Sequence, residues 1–258
     1  MRVVIKFQQG AWNVDTPREC YVAFLDIMGF AKFVENNTSE FVLKYLSNFT
    51  KVNAVFDSIT PNINTSVFSD TIAIYTPTLT NPKEDLARYL GFLRYVGVLQ
   101  YQSITAPNLM GLPLCGAVTK GEFYSNNKDI LFGKAWVEAF YLERDKAVYP
   151  RVIVKKEAND FNCALTLAMD KSPNHRGAPL RQDSDGELHC NYLNNILDAD
   201  GNLPKLFSFI LDHKNSIEKS LIATEGRDKI HKKYRWLMEY HNWFCSGFVE
   251  LKDYHISD

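Results

Sequence analysis

The segment from Tyr21 to Phe30, YVAFLDIMGF, constrains the fold of this chain more than any other stretch. Its apolar and aromatic residues run almost without interruption up to Asp26, which predicts a buried strand. The strand breaks at Gly29, and a helical pattern then runs from Ala31 to about Ile59. Taken alone, an acid in this position is most often a helix cap or a turn residue, so Asp26 needs a partner before it indicates a site.

The pattern that follows predicts an α+β fold. Thr65–Tyr75 reads as a hairpin that turns at Ser69 and Asp70, and strands and helices alternate after it. The order β-α-β-β-α-β-α-β is typical of a ferredoxin-like fold, in which an antiparallel sheet carries helices on one face. The third predicted helix, KAWVEAFYLERDK, is expected to expose Glu138 and Glu143 on its polar face.

The last hundred residues carry weaker signals. DKSPNHRGAPLRQDSDGEL reads as a polar loop, LHCNYL as an edge strand, and Leu203–Phe244 as helical with a break at Gly226. We therefore expect an N-terminal segment over 1–19, a core over 20–157, and an edge strand with a helical extension packed on that core over 158–258.

Composition excludes several classes of protein. The 258 residues suffice for one large domain or two small ones, and the formal charge of −1 argues against broad binding of nucleic acid or an acidic membrane. The five cysteines are scattered, without a C-x-x-C pair, which favours a reducing cytoplasm over disulfides or a zinc site. The N-terminus does not read as a signal peptide, and we expect no membrane insertion.

Asp70, at the tip of the predicted hairpin, is the partner that Asp26 needs. In a β-α-β-β unit the end of the first strand lies beside the hairpin, so the two carboxylates would converge. Because two unneutralised carboxylates repel, a divalent cation between them is the simplest resolution, and the Ile27 carbonyl would add an oxygen ligand. The N–H groups of Met28, Gly29 and Phe30 open a helix and would face an anion such as a triphosphate.

Four segments resemble the catalytic domain of class III nucleotide cyclases. They are AFLDIMGF, FSDTIAIY, CGAVTKGEFY and LFGKAWVEAFYLERD, within roughly residues 20–155. The resemblance implies that Asp26, Ile27 and Asp70 hold two Mn²⁺ or Mg²⁺ ions per active site. It also implies a head-to-tail homodimer with two interfacial active sites, each taking metals from one protomer and base contacts from the other.

The departures from the purine cyclases are informative. The two positions that commonly read a purine base are matched by Asn64 and Lys134. Val137 and Tyr141 stand where an asparagine and an arginine usually face the transition state, and Cys115 stands where an arginine often begins the glycine-rich strand. The cation for the α-phosphate is left open among three alternatives, Lys120, Lys134 and Arg144.

This pattern is similar to the bacterial pyrimidine cyclases of Pycsar antiphage defence. The resemblance implies conversion of UTP to 3′,5′-cyclic UMP and pyrophosphate, with Asp26 and Asp70 as catalytic residues. Met28, Gly29, Phe30, Asn64, Lys134 and Tyr141 would then bind the substrate, and a separate cyclic-nucleotide-binding effector would read the product.

Three alternatives stay open at this point. The first is a cytidylate cyclase, which differs only in using CTP. The second is a purine cyclase, since Asn64 can also hydrogen-bond a purine. The third is a catalytically degenerate domain that binds nucleotides, which loss of the Asn/Arg pair favours and retention of both acids disfavours.

Overall fold

The computed structural model describes residues 16–56, 62–105, 111–126, 130–159, 176–197, 203 and 207–257. The strands in these ranges form one eight-stranded sheet in the order β2-β3-β1-β4-β6-β8-β7, with β5 paired to β4. They are β1 (Arg18–Ile27), β2 (Asn64–Phe68), β3 (Thr71–Pro77), β4 (Leu114–Ser125), β5 (Leu131–Phe132), β6 (Val152–Val154), β7 (Leu180–Gln182) and β8 (Leu188–Cys190).

The described residues also form six α-helices. They are α1 (Phe30–Glu35), α2 (Ser39–Phe56), α3 (Pro82–Thr105), α4 (Lys134–Lys146), α5 (Ser208–Ala223) and α6 (Asp228–Cys245). Strand β1 lies between β3 and β4 and is antiparallel to both, and β2 pairs antiparallel with β3. The predicted α+β fold class with an antiparallel, ferredoxin-like β2-β3-β1-β4 sheet is therefore confirmed.

Strand β1 is buried on both faces of the sheet. Tyr21 and Leu25 belong to the main core with residues of α1, α2 and α3. On the opposite face Phe24 packs against α4, with its ring centroid 4.9 Å from that of Trp136. Successive side chains of a strand point to opposite faces, and both sets here are apolar. The expectation of helices on one face only was therefore wrong.

The first long helix of the sequence prediction is two helices in the structure. The Asn36 and Asn37 side-chain amides donate to the carbonyls of Lys32 and Phe33, which ends α1. The Thr38 hydroxyl accepts the Phe41 N–H at 3.3 Å and begins α2. Polar side chains that bond to the backbone compete with the helix hydrogen bonds, so α1 ends here and a separate helix, α2, begins. The predicted end near Ile59 lies outside the described residues.

The C-terminal part joins the same sheet. Strand β8 pairs with β6 through Ile153 and His189, and β7 pairs with β8 and forms the edge. The predicted loop thus contains a strand, and the strand predicted for the edge is an inner one. Helices α5 and α6 are separated at Gly226, as predicted, where φ is 76°. The division of the chain at residue 157 stays a prediction.

Two expectations of the sequence concern cysteines and membranes. Cys20, Cys115, Cys190 and Cys245 are free thiols, whereas Cys163 and the N-terminal residues 1–15 lie outside the described part of the chain. In that described part, no helix combines the length and the apolar character that crossing a bilayer requires.

Candidate active site

Asp26 and Asp70 meet at one end of the sheet. In the β1–β3 pairing Asp26 lies opposite Thr71, the residue that follows Asp70. The Ile27 N–H donates to the Asp70 carbonyl oxygen at 2.8 Å, so the hairpin tip is tied to the end of β1. Both carboxylates are half-buried. The fold therefore brings together two acids that are far apart in sequence.

A thiol and a third carboxylate complete the cluster. Cys115 lies opposite Asp26 in the β1–β4 pairing. Its thiol contacts the Glu143 carboxylate with Sγ and Oε1 3.3 Å apart, and the Asp26 carboxylate with Sγ and Oδ2 3.8 Å apart. One possible ligand atom from each of Asp26, Cys115 and Glu143 lies within 4.8 Å of the others. We call Asp26, Asp70, Cys115 and Glu143 the acidic cluster.

Glu143 was expected on the polar face of its helix, and that expectation was wrong. Helix α4 runs antiparallel to β4, because the Thr119 hydroxyl bonds to the Ala135 carbonyl near one end and Cys115 contacts Glu143 near the other. The last turn of α4 therefore crosses the start of β4, and Glu143 turns half-buried toward Asp26. The signal in the sequence that could have found Glu143 is its position in the cyclase-like segment LFGKAWVEAFYLERD.

The electrostatics of the cluster favour a bound cation. Burial raises the pKa of Asp26 to about 6, and the negative charges of Glu143 and Asp70 add to the rise. Burial also raises the pKa of Glu143 and of the Cys115 thiol, so the thiol stays protonated near neutral pH. The cluster thus holds more negative charge than its surroundings solvate well, a condition that a divalent cation relieves. Its carboxylate donors suit Mg²⁺ and Mn²⁺.

The turn after Asp26 agrees only in part with the predicted anion site. The Met28 N–H donates to the Pro113 carbonyl at 3.0 Å, so this N–H is not available to a phosphate. Gly29 adopts a left-handed φ of 80° just before α1. The Phe30 side chain is buried and packs on Phe33 with ring centroids 6.1 Å apart. Of the three N–H groups predicted to face an anion, only those of Gly29 and Phe30 remain candidates.

The two residues expected to read the base, Asn64 and Lys134, lie away from Asp26 in the same chain. Asn64 pairs with Tyr75, four residues along β3 from Thr71, which places it about 13 Å along the strand from the site end. Lys134 reaches Glu122 at 4.0 Å, and Glu122 is seven residues along β4 from Cys115, about 23 Å.

An open cleft surrounds Lys134 and Tyr141. Phe132, Val137 and Glu138 also line it. Tyr141 is 49% exposed, and the Arg144 guanidinium lies over its ring at 4.7 Å. Val137 and Phe140 are exposed as well, at 49% and 40%. This face of α4 is therefore unusually apolar for a surface in contact with water.

Solved structures similar to this chain are cyclase domains. The guanylyl cyclase Cya2 is 15% identical with a TM-score of 0.41, covering 55% of this chain and 77% of that one. The adenylyl cyclase CyaB from P. aeruginosa is 18% identical with a TM-score of 0.39, and the match covers 60% of this chain and 82% of that one. A third similar structure is the non-canonical dimeric guanylyl cyclase domain of the RhoGC fusion protein from the aquatic fungus Blastocladiella emersonii. It is 12% identical with a TM-score of 0.44, and the match covers 56% of this chain and 83% of that one.

Matches of other kinds are absent. No protein-family model matches the chain, and no curated protein matches it. The three TM-scores are all below 0.5. The assignment of function therefore depends on the residues of the acidic cluster and their geometry.

Proposed function

We propose that this protein is a metal-dependent nucleotide cyclase that converts a pyrimidine nucleoside triphosphate, UTP in preference to CTP, into its 3′,5′-cyclic monophosphate and pyrophosphate. The observation that carries the proposal is the meeting of Asp26 and Asp70 at the end of β1, tied by the Ile27–Asp70 hydrogen bond. The resemblance of four sequence segments to nucleotide cyclases supports the type of reaction. The acidic cluster is the proposed site at which that reaction takes place.

In this reaction the 3′-hydroxyl of the ribose attacks the α-phosphorus in line, and pyrophosphate leaves. When bound, two divalent cations would lower the pKa of that hydroxyl and neutralise the leaving phosphates. Asp26, Asp70 and the Ile27 carbonyl would hold these cations through their oxygen atoms. Glu143 adds negative charge beside Asp26, which strengthens the attraction of the site for divalent cations.

The preference for a pyrimidine follows from the changed base-reading positions. Asn64 and Lys134 replace the residues that commonly read a purine. UTP is placed before CTP by the resemblance to the Pycsar cyclases and not by any residue of this chain. Asn64 and Lys134 lie too far from Asp26 to serve the same site within one chain. This separation supports a head-to-tail homodimer with two interfacial sites. The exposed apolar face of α4 supports a contact there.

The biological role that fits such a product is second-messenger synthesis in the cytoplasm. The resemblance to Pycsar cyclases supports a role in antiphage defence, in which a separate cyclic-nucleotide-binding effector reads cyclic UMP. That effector is a different polypeptide.

The proposal is tested by incubating the protein with each of UTP, CTP, ATP and GTP and Mn²⁺ or Mg²⁺. We expect cyclic UMP as the main product by liquid chromatography with mass spectrometry. Asp26→Asn and Asp70→Asn should each reduce its rate on the order of a hundredfold or more, because each removes an anionic metal ligand. Asp212→Asn, a change on the exposed surface of α5, is the matched control and should leave the rate unchanged.

Two results would contradict the proposal. A purine cyclic nucleotide as the main product would refute the pyrimidine assignment. Equal binding and turnover in the wild type and in both aspartate variants would refute the enzymatic assignment.

A further inference from the structure

Two histidines that the proposed site does not use are completely buried in the C-terminal extension. His213 on α5 and His241 on α6 are each 0% exposed, and their Nδ1 atoms lie 2.9 Å apart. A contact of this length between two ring nitrogens is a hydrogen bond. One of the two nitrogens therefore carries a proton and the other does not.

The outer ring nitrogens decide which of the two carries it. His241 Nε2 lies 2.9 Å from the Tyr254 carbonyl oxygen. A carbonyl oxygen only accepts hydrogen bonds, so this nitrogen holds the proton of the neutral ring and His241 Nδ1 is an acceptor. His213 then donates from its Nδ1, and its Nε2 accepts from the Tyr192 hydroxyl at 2.8 Å. The contacts thus assign both protons with both rings neutral.

This series of hydrogen bonds joins four elements that are separate in the sequence. They are α5, α6 and the two short 3₁₀ helices Tyr192–Ile196 and Val249–Tyr254. The residues that follow the second short helix are held by α6 as well, because the Asn242 side chain bonds to the Ile256 carbonyl at 2.9 Å and to its N–H at 2.8 Å. The histidine pair therefore belongs to the contacts that hold the C-terminal segment on the extension.

Helix α6 also reaches the segment that leads into β4. The Tyr234 hydroxyl donates to the Gly111 carbonyl at 3.3 Å. Two residues further along, the Pro113 carbonyl accepts the Met28 N–H at 3.0 Å, next to Asp26. Residues 111–113 are thus bonded to α6 on one side and to the turn after β1 on the other.

The charged groups near the pair disfavour a positive charge on either ring. Burial lowers the pKa of His241 to about 4, and the positive charges of His255 and Lys214 add to the decrease although the hydrogen bond to the Tyr254 carbonyl opposes it. Burial also lowers the pKa of His213 well below its usual value, and His241 adds to the effect. Within the described ranges, neither ring bonds to a carboxylate.

The other side chains that face the pair are neutral. On α3 the Tyr101 ring stacks on His213 with ring centroids 6.3 Å apart, and on α6 the Cys245 sulfur lies 3.5 Å from His241 Nε2. Burial raises the pKa of Tyr101 and of the Cys245 thiol to about 12, and that of Tyr192 well above its usual value. All three therefore stay protonated in mild acid.

The acids next to these elements are turned away or paired. Asp212 and Asp253 precede His213 and Tyr254 in the chain, and both are exposed to solvent. Glu218 lies 3.8 Å from the Lys214 ammonium group on the same helix. A proton taken up by the pair would thus remain a buried charge without an acid beside it, which is unfavourable.

An added proton also breaks the hydrogen bonds of the pair. On His241 the proton must bind Nδ1, where it faces the N–H of His213 Nδ1. On His213 it must bind Nε2, where the Tyr192 hydroxyl can accept it only by turning its own proton away.

The sign of the pH dependence follows from the two states of the chain. An unfolded histidine binds its proton near pH 6.5, whereas the folded pair resists it down to about pH 4. Between these values the unfolded chain holds more protons than the folded one. The stability that the neutral pair contributes is therefore fully present above about pH 6.5 and is lost as the pH falls.

We propose that His213 and His241 form an acid-sensitive switch, which holds α5, α6 and the C-terminal segment together while both rings are neutral and releases them when either ring is protonated. The inference uses no property of the proposed reaction and goes beyond it. Release would also loosen residues 111–113, which α6 holds beside the end of β1.

Nuclear magnetic resonance tests the arrangement of protons directly. Long-range ¹H–¹⁵N spectra of the imidazole rings near neutral pH should show the proton on Nδ1 in His213 and on Nε2 in His241. The opposite tautomer in His213, or a charged ring in either residue at that pH, would overturn the proposal.

The pH dependence of unfolding tests the consequence. Each histidine that is neutral when folded and charged when unfolded raises the unfolding equilibrium constant by up to about tenfold per pH unit below about pH 6.5. His213→Asn keeps an amide donor near the position of Nδ1 but does not titrate, so its pH dependence should be smaller than that of the wild type by nearly that factor. Urea titrations between about pH 7 and pH 5 measure both.

The matched control is His231→Gln, at the other end of α6, where the ring contacts the Thr224 hydroxyl at 3.3 Å. It should keep the pH dependence of the wild type. An equal pH dependence in the wild type and in His213→Asn would refute the switch. Should His213→Asn fail to fold, His241→Gln replaces it, and the same comparison decides.

Amide hydrogen exchange distinguishes a local switch from general sensitivity to acid. After correction for the intrinsic exchange rate, moving the wild type from about pH 7 to about pH 5 should reduce protection first in α5 and α6, while β1 and β4 keep theirs. A uniform loss of protection over the sheet and the extension would contradict the proposal.

Discussion

At the scale of single residues, Asp26 takes its properties from neighbours on other elements. Burial raises its pKa most, followed by the charges of Glu143 and Asp70, while the Cys115 thiol lowers it by donating a hydrogen bond. A carboxyl group with a pKa of about 6 ionises less readily than an ordinary aspartate, and a nearby cation would favour its ionised form. The same residue on an open turn would be an ordinary acid.

Removing the charge of Glu143 should lower the pKa of Asp26. In the metal-free protein, a carboxyl-selective ¹³C NMR titration is expected to give about 6 for Asp26 in the wild type and a lower value in Glu143→Gln. The sign follows because a like charge that opposes ionisation is lost. Asp145→Asn, on an exposed position of the same helix, should leave the titration unchanged. An unchanged Asp26 pKa in Glu143→Gln would contradict the described contact.

At the scale of elements, the pairing of β1 with β4 positions the cluster. Gly116 allows the two backbones to approach closely, because a Cβ there would lie 2.3 Å from the Phe24 carbonyl oxygen and 3.0 Å from the Leu25 Cα. Gly121, in the same strand, has room: a Cβ there would meet the Ala135 Cβ at 3.6 Å. The glycines of this strand therefore differ in function although the sequence makes them look alike.

Alanine substitutions at these two glycines should separate their effects. Gly116→Ala is expected to lower the free energy of unfolding by about 1–3 kcal/mol, since the strands must move apart next to Asp26 and Cys115. Gly121→Ala should change it by less than about 1 kcal/mol, because the added methyl makes an ordinary contact. Urea titrations followed by circular dichroism measure both. An equal decrease in the free energy of unfolding for both variants would show that the close approach of the two backbones at Gly116 does not restrict the residue at that position.

At the scale of the whole molecule, one chain holds two separate sets of proposed site residues. Asp26 and Asp70 lie at one end of the sheet, and Asn64 and Lys134 lie away from it. A head-to-tail homodimer would place the second set of one protomer against the first set of its partner. Two defective chains could then rescue each other.

Mixing an Asp26→Asn chain with an Asn64→Ala/Lys134→Ala chain should restore activity. In a mixed dimer one interfacial site carries both defects and the other carries neither, so about a quarter of the wild-type rate is expected from random exchange of equal amounts. Each variant alone should stay far below that rate. The cyclic UMP assay measures the recovery, and light scattering confirms exchange into dimers. No recovery in exchanged dimers would refute the shared site.

Much of the fold could be predicted from local patterns in the sequence. The buried strand before Asp26, the Asp70 hairpin and the break at Gly226 are each encoded by neighbouring residues, through period, turn chemistry and backbone freedom. The split between α1 and α2 was not predicted, because the apolar period continues across it and only three polar residues, Asn36, Asn37 and Thr38, mark the break. The strand β7 was missed because only three of its residues pair, within a polar stretch.

The amino-acid sequence by itself determined where Asp26 and Asp70 lie along their elements, because strand and turn propensities act between neighbours and place these two proposed site residues at the ends of those elements. Only the tertiary structure decided which residues from other elements lie beside them. Glu143 turns inward because α4 crosses the start of β4, and α6 is bonded through residues 111–113 to the same end of β1. Such contacts depend on how elements pack across long separations, and a period of two or 3.6 residues contains no information about that packing.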